Sequence, residues 1–247
     1  MSCADIPDWY LRHRIAVLDV RSAVWERSRP ELLPPGYPPD VCTRRLAAAG
    51  RLRRLKKGAY MVVDPVRETP SIAVASGLYA ETSHYVTTDA ALAFHGLLDQ
   101  PVPTITVVQG KRGRPVAIGD ATVSPVSLAS RWLKGADAYE TTVEGFTVRV
   151  ASREQAVVDA LAEPTWMTHG SLLPEVLATF SEAELTRTAD RTVARSTAAA
   201  QRMGYLLEDT GRELPAPLGS LRPIRAVRLR PGRASSGPYS SRWRVYG

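Results

Sequence analysis

Five prolines, Pro30, Pro34, Pro35, Pro38 and Pro39, fall within ten residues near the start of the chain, and neither a helix interior nor a central strand tolerates such a run. The segments on either side must therefore fold as separate elements. Upstream, Leu11, Ile15, Leu18, Ser22 and Trp25 recur at helical spacing, which predicts an amphipathic helix over residues 10–27 with its arginines outward. One short helical turn is expected around residues 31–33. Downstream, proline suits the first turn of a helix and Gly50 suits its C-terminal cap, so a helix of about three turns is predicted over residues 39–49. Val41, Leu46 and Ala49 would face inward, leaving Thr43, Arg44 and Ala47 on the outer side.

A hairpin is expected immediately afterwards. Leu52, Leu55, Tyr60 and Val62 can pack inward from two short strands, with Lys56, Lys57 and Gly58 turning between them. A short arginine-bearing helix followed by a basic hairpin is the order of a DNA-binding winged helix, whose helix enters a groove while the wing lies on the backbone. Arg51, Arg53, Arg54, Lys56 and Lys57 are the expected phosphate contacts, and Thr43, Arg44 and Arg45 the residues nearest base edges.

Charge is distributed in keeping with this. Residues 1–67 hold 13 Lys or Arg against 7 Asp or Glu, residues 68–214 hold 12 against 18, and residues 215–247 hold 7 against none. Three regions with net charges of +6, −6 and +7 are marked out, and they coincide with the expected divisions: a DNA-binding domain over 1–67, a mixed α/β domain over 68–214 and a basic tail over 215–247. The fold class expected is α+β. In the middle region, helices are predicted over residues 70–79 and 89–95 and strands over 104–109, 115–118 and 121–124. A hairpin is expected about Glu144 and Gly145. The order Ser-x-x-Gln or Ser-x-x-Glu at Ser152 and Ser181 marks two capping boxes, opening helices over 153–162 and from 182 to about 209. In the tail, residues 227–230 and 242–245 alternate apolar side chains with arginines at strand period, which predicts a hairpin burying Val227, Leu229, Trp243 and Val245. Its outward residues Arg228, Arg230, Arg242 and Arg244 are further candidates for nucleic-acid contact. So are Lys111, Arg112 and Arg114, whose Arg-Gly-Arg-Pro order looks like the core of an AT-hook.

Other classes are disfavoured. With 247 residues, 44% hydrophobic and 23% charged, the chain reads as globular, and its apolar runs are far too short to span a bilayer. The first nine residues lack the order of a signal peptide, and Cys3 and Cys42 argue against a disulfide framework or a zinc site, so a cytoplasmic location is expected. The four lysines and four histidines fit no nuclease or zinc-helix spacing, and Walker and Rossmann glycine patterns are missing. No catalytic residue, metal or cofactor is expected, and the chain reads as a non-enzyme.

The arginine-bearing helix, the wing over residues 52–63, Thr88-Asp-Ala-Ala-Leu-Ala-Phe-His-Gly96, Val150-Ala-Ser-Arg-Glu-Gln-Ala-Val-Val-Asp159 and Arg202-Met-Gly-Tyr-Leu-Leu-Glu208 together span most of residues 40–210. This series resembles the AbiEi-type antitoxins of the AbiE toxin–antitoxin and phage-defence systems. The proline-rich stretch stands where such proteins carry a second helix. The resemblance implies an N-terminal winged helix-turn-helix that represses its own operon at inverted repeats in double-stranded DNA, and a C-terminal domain that antagonises a nucleotidyltransferase-like toxin. Two other functions fit the same residues: a protein-interaction module that neutralises its partner directly, and a plain winged-helix repressor with no toxin.

Overall fold

The computed structural model describes residues 3–22, 24–25, 39–231 and 238–247. The turn expected at 31–33 lies outside them. In chain order the elements are α1 (Ile6–Arg12), β1 (Val17–Asp19), α2 (Pro39–Ala48), β2 (Leu52–Lys56), β3 (Ala59–Val62), α3 (Ser71–Gly77), β4 (His84–Thr87), α4 (Thr88–Phe94), β5 (Thr104–Gln109), β6 (Val116–Ile118), β7 (Ala121–Ser127) and α5 (Ser130–Lys134). There follow β8 (Ala138–Val143), β9 (Phe146–Ala151), α6 (Arg153–Ala162), α7 (Leu173–Ala178), α8 (Glu182–Arg195), α9 (Thr197–Asp209), α10 (Ala216–Gly219), β10 (Val227–Arg228), β11 (Tyr239–Ser240) and β12 (Val245–Tyr246). The fold is mixed α and β. Among the described residues no helix is long and apolar enough to cross a membrane.

The chain packs as two compact units that interleave along the sequence. One comprises residues 1–86, 107–135 and 139–150, the other 87–106, 136–138 and 151–247. Charge divides the chain at 67 and 214; packing divides it elsewhere.

In the first unit, β1, β3 and β2 form a three-stranded antiparallel sheet in the order β1-β3-β2, with Leu18 opposite Tyr60 and Leu52 opposite Val62. Gly58 turns the β2–β3 hairpin at φ +80°, where glycine carries no Cβ penalty. The carbonyl of Gly58 accepts the Val20 amide at 2.9 Å, tying the turn to the end of β1. Under this sheet Ile6, Tyr10, Leu18, Trp25, Leu46 and Val62 make a closed core, each large side chain contributing about 1.5–3 kcal/mol by leaving water.

Three expectations are corrected here. Residues 10–27 do not form one helix: α1 ends at Arg12, Arg14 takes φ +54°, and residues 17–19 join the hairpin as a strand. The apolar period is satisfied by burial on a sheet, and the backbone groups of residues 16–20 find partners in the ladder that a lone helix end lacks. On α2, Thr43 is 1% exposed and Val41 36% exposed, the reverse of the expected facing. Cys42 is fully buried and disulfide-bonded, and it shares the inward arc of the helix with Thr43 and Leu46. The reading of the two cysteines against a disulfide framework is corrected to this extent, that Cys42 is bonded.

Most of a six-stranded sheet, ordered β6-β7-β5-β4-β9-β8, completes this unit. Its β8–β9 turn places Glu144 at φ +50° and Gly145 at φ +87°, the two consecutive positive values that a tight primed turn requires. Buried His84 accepts from the Ser76 hydroxyl at 2.9 Å and donates to the Thr82 carbonyl at 2.9 Å, while Ser76 also accepts the Arg149 amide. Desolvation pushes the pKa of His84 below its ordinary value.

The other unit is mainly helical. Helix α6 begins on Ser152, whose hydroxyl accepts the Gln155 amide, and packs against α8, which in turn packs against α9. At the start of α8 the Ser181–Glu184 capping box is complete in both directions. At α6 it is not. The Gln155 side chain accepts the Asp137 amide and donates to Asp159 instead of returning to Ser152. Ser196, extended at φ −169°, divides α8 from α9, where a single helical region was expected.

The tail forms a three-stranded sheet in the order β10-β12-β11. Val227 pairs with Val245 in parallel, so the expected hairpin between these stretches is replaced; the antiparallel partner of β12 is β11. Trp243 and Val245 are buried as expected, whereas Val227 and Leu229 are only half-buried.

Candidate nucleic-acid interface

Helix α2 and the β2–β3 hairpin carry eight of the cationic or polar residues expected to meet DNA, and the structure separates them into engaged and unengaged groups. Thr43 is buried, its hydroxyl 3.4 Å from the Asp40 carbonyl, and so is withdrawn from any groove. Arg51 forms an ion pair with Asp8 and ties α1 to the start of the hairpin. Arg44 is exposed and paired with exposed Asp40 at 2.8 Å. Such a surface pair is worth about 0–1 kcal/mol, so a phosphate or base can displace it. Arg45 is exposed beside it.

On the hairpin, Arg53, Arg54 and Lys57 are exposed and make no ion pair among the described residues. Along β2 Leu52 goes to the core while Arg53 and Arg54 are both exposed, and the register shifts between Arg54 and Lys56. Lys56 behaves differently from its neighbour. It is half-buried with Nζ 4.7 Å from the centre of the Tyr79 ring, a cation–π contact. Desolvation lowers its pKa, partly opposed by the nearby charge of Asp19.

Asp19 and Arg21 extend the hairpin's polar edge. The Arg21 guanidinium grips both Asp19 oxygens, at 3.0 and 2.8 Å. Burial pulls the Asp19 pKa upward, but hydrogen bonds from the Arg21 side chain and amide outweigh it and leave the carboxyl below its usual range. Sequence spacing alone gives Arg21 no role.

The loop bearing Lys111, Arg112 and Arg114 is exposed throughout. It lines the same groove as Arg21, Lys56 and Lys57, a convergence that sequence spacing does not reveal.

In the tail, two of the four candidate arginines have side-chain partners. Arg242 pairs with Glu208 at 2.6 Å, and Arg244 donates to the Ile224 carbonyl. The Arg228 carbonyl accepts from Arg202 at 2.9 Å while its own side chain is exposed. Arg230 is half-buried at the wall of a cavity of about 190 Å³, which Arg202 and Ser171 also line.

Motif residues behind the family resemblance serve packing in the mainly helical unit. Thr87, Thr88 and Asp89 are all fully buried: Thr87 donates to Asp159, Thr88 to the Trp166 carbonyl, and Asp89 accepts the amides of Thr168 and His169 and the His169 ring. Thr88 holds φ +50°, a strained value for a β-branched residue that these bonds enforce. In α9, Gln201 donates to the carbonyls of Arg225 and Trp243, and Gly204 lies under the Trp243 ring, where a Cβ would come within 2.3 Å. The stretch from Arg202 to Glu208 is thus a docking strip for the tail. Among the described residues no cluster of three or more His, Cys, Asp or Glu could hold a metal ion.

The crystal structure of the RV2827C protein from Mycobacterium tuberculosis is similar to this chain, with a TM-score of 0.64 at 17% identity over 98% of this chain and 90% of that one. At that identity the likeness establishes a shared mixed α and β fold. No family model matches the chain, and no curated protein has a similar sequence.

Proposed function

We propose that this chain binds duplex DNA with α2 and the β2–β3 hairpin, represses its own operon, and serves as the antitoxin of a toxin–antitoxin pair. The observation that carries the DNA half is the set of cations on one hairpin: Arg53, Arg54 and Lys57 stand exposed and make no ion pair among the described residues. The setting supports it. A ten-residue helix precedes the hairpin, and the sheet order β1-β3-β2 is the one expected of a winged helix. In this reading the three hairpin cations hold phosphates while Arg44 and Arg45 reach base edges from α2.

The antitoxin half rests on the family resemblance and on no geometry of the mainly helical unit. Under it, residues 1–67 bind DNA, residues 68–214 antagonise a nucleotidyltransferase-like toxin, and the tail is bound to the helical unit rather than to phosphate. The reading is non-enzymatic, without metal or cofactor.

Titration of the full chain with a duplex from immediately upstream of its gene tests the DNA half. Binding that weakens with salt is expected, and replacing Arg53, Arg54 and Lys57 together by Ala should lower the slope of log K against log salt by about 2–3, at about 0.9 per lost phosphate contact. An unchanged slope would remove the hairpin from the mechanism. For the antitoxin half, the adjacent gene product is expressed alone and with this chain. Growth arrest relieved by this chain is expected; a neighbour whose expression is harmless leaves a repressor without a toxin.

A further inference from the structure

Two basic segments more than fifty residues apart in sequence, the hairpin tip and residues 111–114, line one groove of about 1000 Å³ in the first unit. Six cations face it: Arg21, Lys56, Lys57, Lys111, Arg112 and Arg114. Only two carboxylates, Asp19 and Glu81, share the lining, and Asp19 is already held by Arg21. Lys57, Lys111, Arg112 and Arg114 have no hydrogen-bond or ion-pair partner among the described residues.

The loop is shelved in place rather than merely exposed. A Cβ on Gly113 would lie 2.7 Å from Cγ of Pro125, so only glycine lets the loop rest on β7. At its base the Leu128 amide donates to the Gln109 carbonyl at 2.9 Å. Holding like charges together at fixed positions is unfavourable until an anion occupies the space between them. A polyanion that already lies along the hairpin supplies that charge without a separate binding event.

We propose that the hairpin tip and the 111–114 loop grip one continuous stretch of DNA backbone, with the loop taking phosphates beyond those that Arg53, Arg54 and Lys57 reach. The proposal rests on the DNA-binding reading above and states how far that site extends. The DNA backbone is the occupant because Lys56 and Lys57, which line the groove, belong to the same hairpin as Arg53 and Arg54, so that the cationic surface is continuous along one element. Lys56 has a separate part. Held over Tyr79, it sets the electrostatic floor of the groove rather than projecting from it.

The test uses the full chain and a random-sequence duplex of about 30 base pairs, titrated between about 50 and 200 mM salt, since phosphate contacts need no operator. The variant replaces Lys111, Arg112 and Arg114 by Ala and keeps Gly113. Its slope of log K against log salt should fall by about 2–3 relative to the unmodified chain. A companion with Lys111→Arg, Arg112→Lys and Arg114→Lys should keep the original slope, because it preserves charge. Lys57→Ala should lower the slope by about 0.9 in either background. If the unmodified chain binds with a salt-dependent affinity that Lys57→Ala reduces, yet the loop variant matches it, the extended groove is refuted and the DNA-binding reading stands. If the loop variant loses slope but Lys57→Ala does not, the two segments do not share a backbone and the proposal is overturned. If the unmodified chain binds no duplex at low salt, the DNA-binding reading and the groove fall together.

Discussion

The β2–β3 hairpin and the tail sheet are alike as sequence: both alternate apolar residues with cations, and both lie in net-positive regions. As structure they differ in what the cations meet. Arg53, Arg54 and Lys57 project from a two-sided hairpin and make no ion pair among the described residues. Arg242 and Arg244 instead meet Glu208 and the Ile224 carbonyl, and the indole N–H of Trp243 donates to Glu208 at 2.7 Å. A basic stretch therefore does not announce a nucleic-acid contact. What separates the two cases is whether the fold already supplies an acceptor.

The tail is where the largest stability effect is expected. Trp243 is 1% exposed and seals the tail sheet on α9, so Trp243→Ala should cost about 3–5 kcal/mol, measured by denaturant unfolding. A loss under about 1 kcal/mol would mean that the tail is not part of the helical unit's core. Gly204→Ala comes next: its Cβ would meet the same ring at 2.3 Å, and overpacking of this kind costs about 1–3 kcal/mol. Neither figure has a counterpart in the hairpin cations. Lys57→Ala should leave stability within about 0.5 kcal/mol and alter only DNA affinity.

The unit that carries the hairpin has a pH dependence of its own. Burial lowers the His84 pKa, so the folded state binds fewer protons than the unfolded one below the ordinary value of 6.5. The stability it contributes is present above about 6.5 and is lost as pH falls through the depressed value in the folded protein. Melting temperature should drop across that window, and His84→Asn should flatten the drop. A melting temperature independent of pH between about 7 and 5 would show that His84 charges freely in the folded state.

Much of the local structure is legible in the sequence. The strand at residues 104–109 and the helix at 153–162 have the bounds expected of them, because a β-branched run and a serine cap are signals within a few residues. The Ser181–Glu184 box is complete for the same reason. Expectation fails where a distant partner decides. Residues 15–20 have an apolar period that suits a helix, but the β3 edge, about forty residues away, draws them into a sheet. Helical counting points Thr43 outward, whereas Cys42, Thr43 and Leu46 together face the core. Gln155 would close a capping box if Asp137 and Asp159 did not take its amide group. The candidate site divides likewise: the hairpin cations follow from a local basic run about a glycine turn, whereas the pairing of Arg51 with Asp8 and the meeting of Lys57 with the 111–114 loop are tertiary facts.

The contrast between hairpin and tail can be put to one measurement. Two variants of the full chain, Arg53, Arg54 and Lys57 to Ala in one and Arg242 and Arg244 to Ala in the other, are titrated side by side against the upstream duplex across a range of salt. The hairpin variant should lose about 2–3 from the slope of log K against log salt, and the tail variant should keep the slope of the unmodified chain. Equal losses, or a loss confined to the tail variant, would contradict the account.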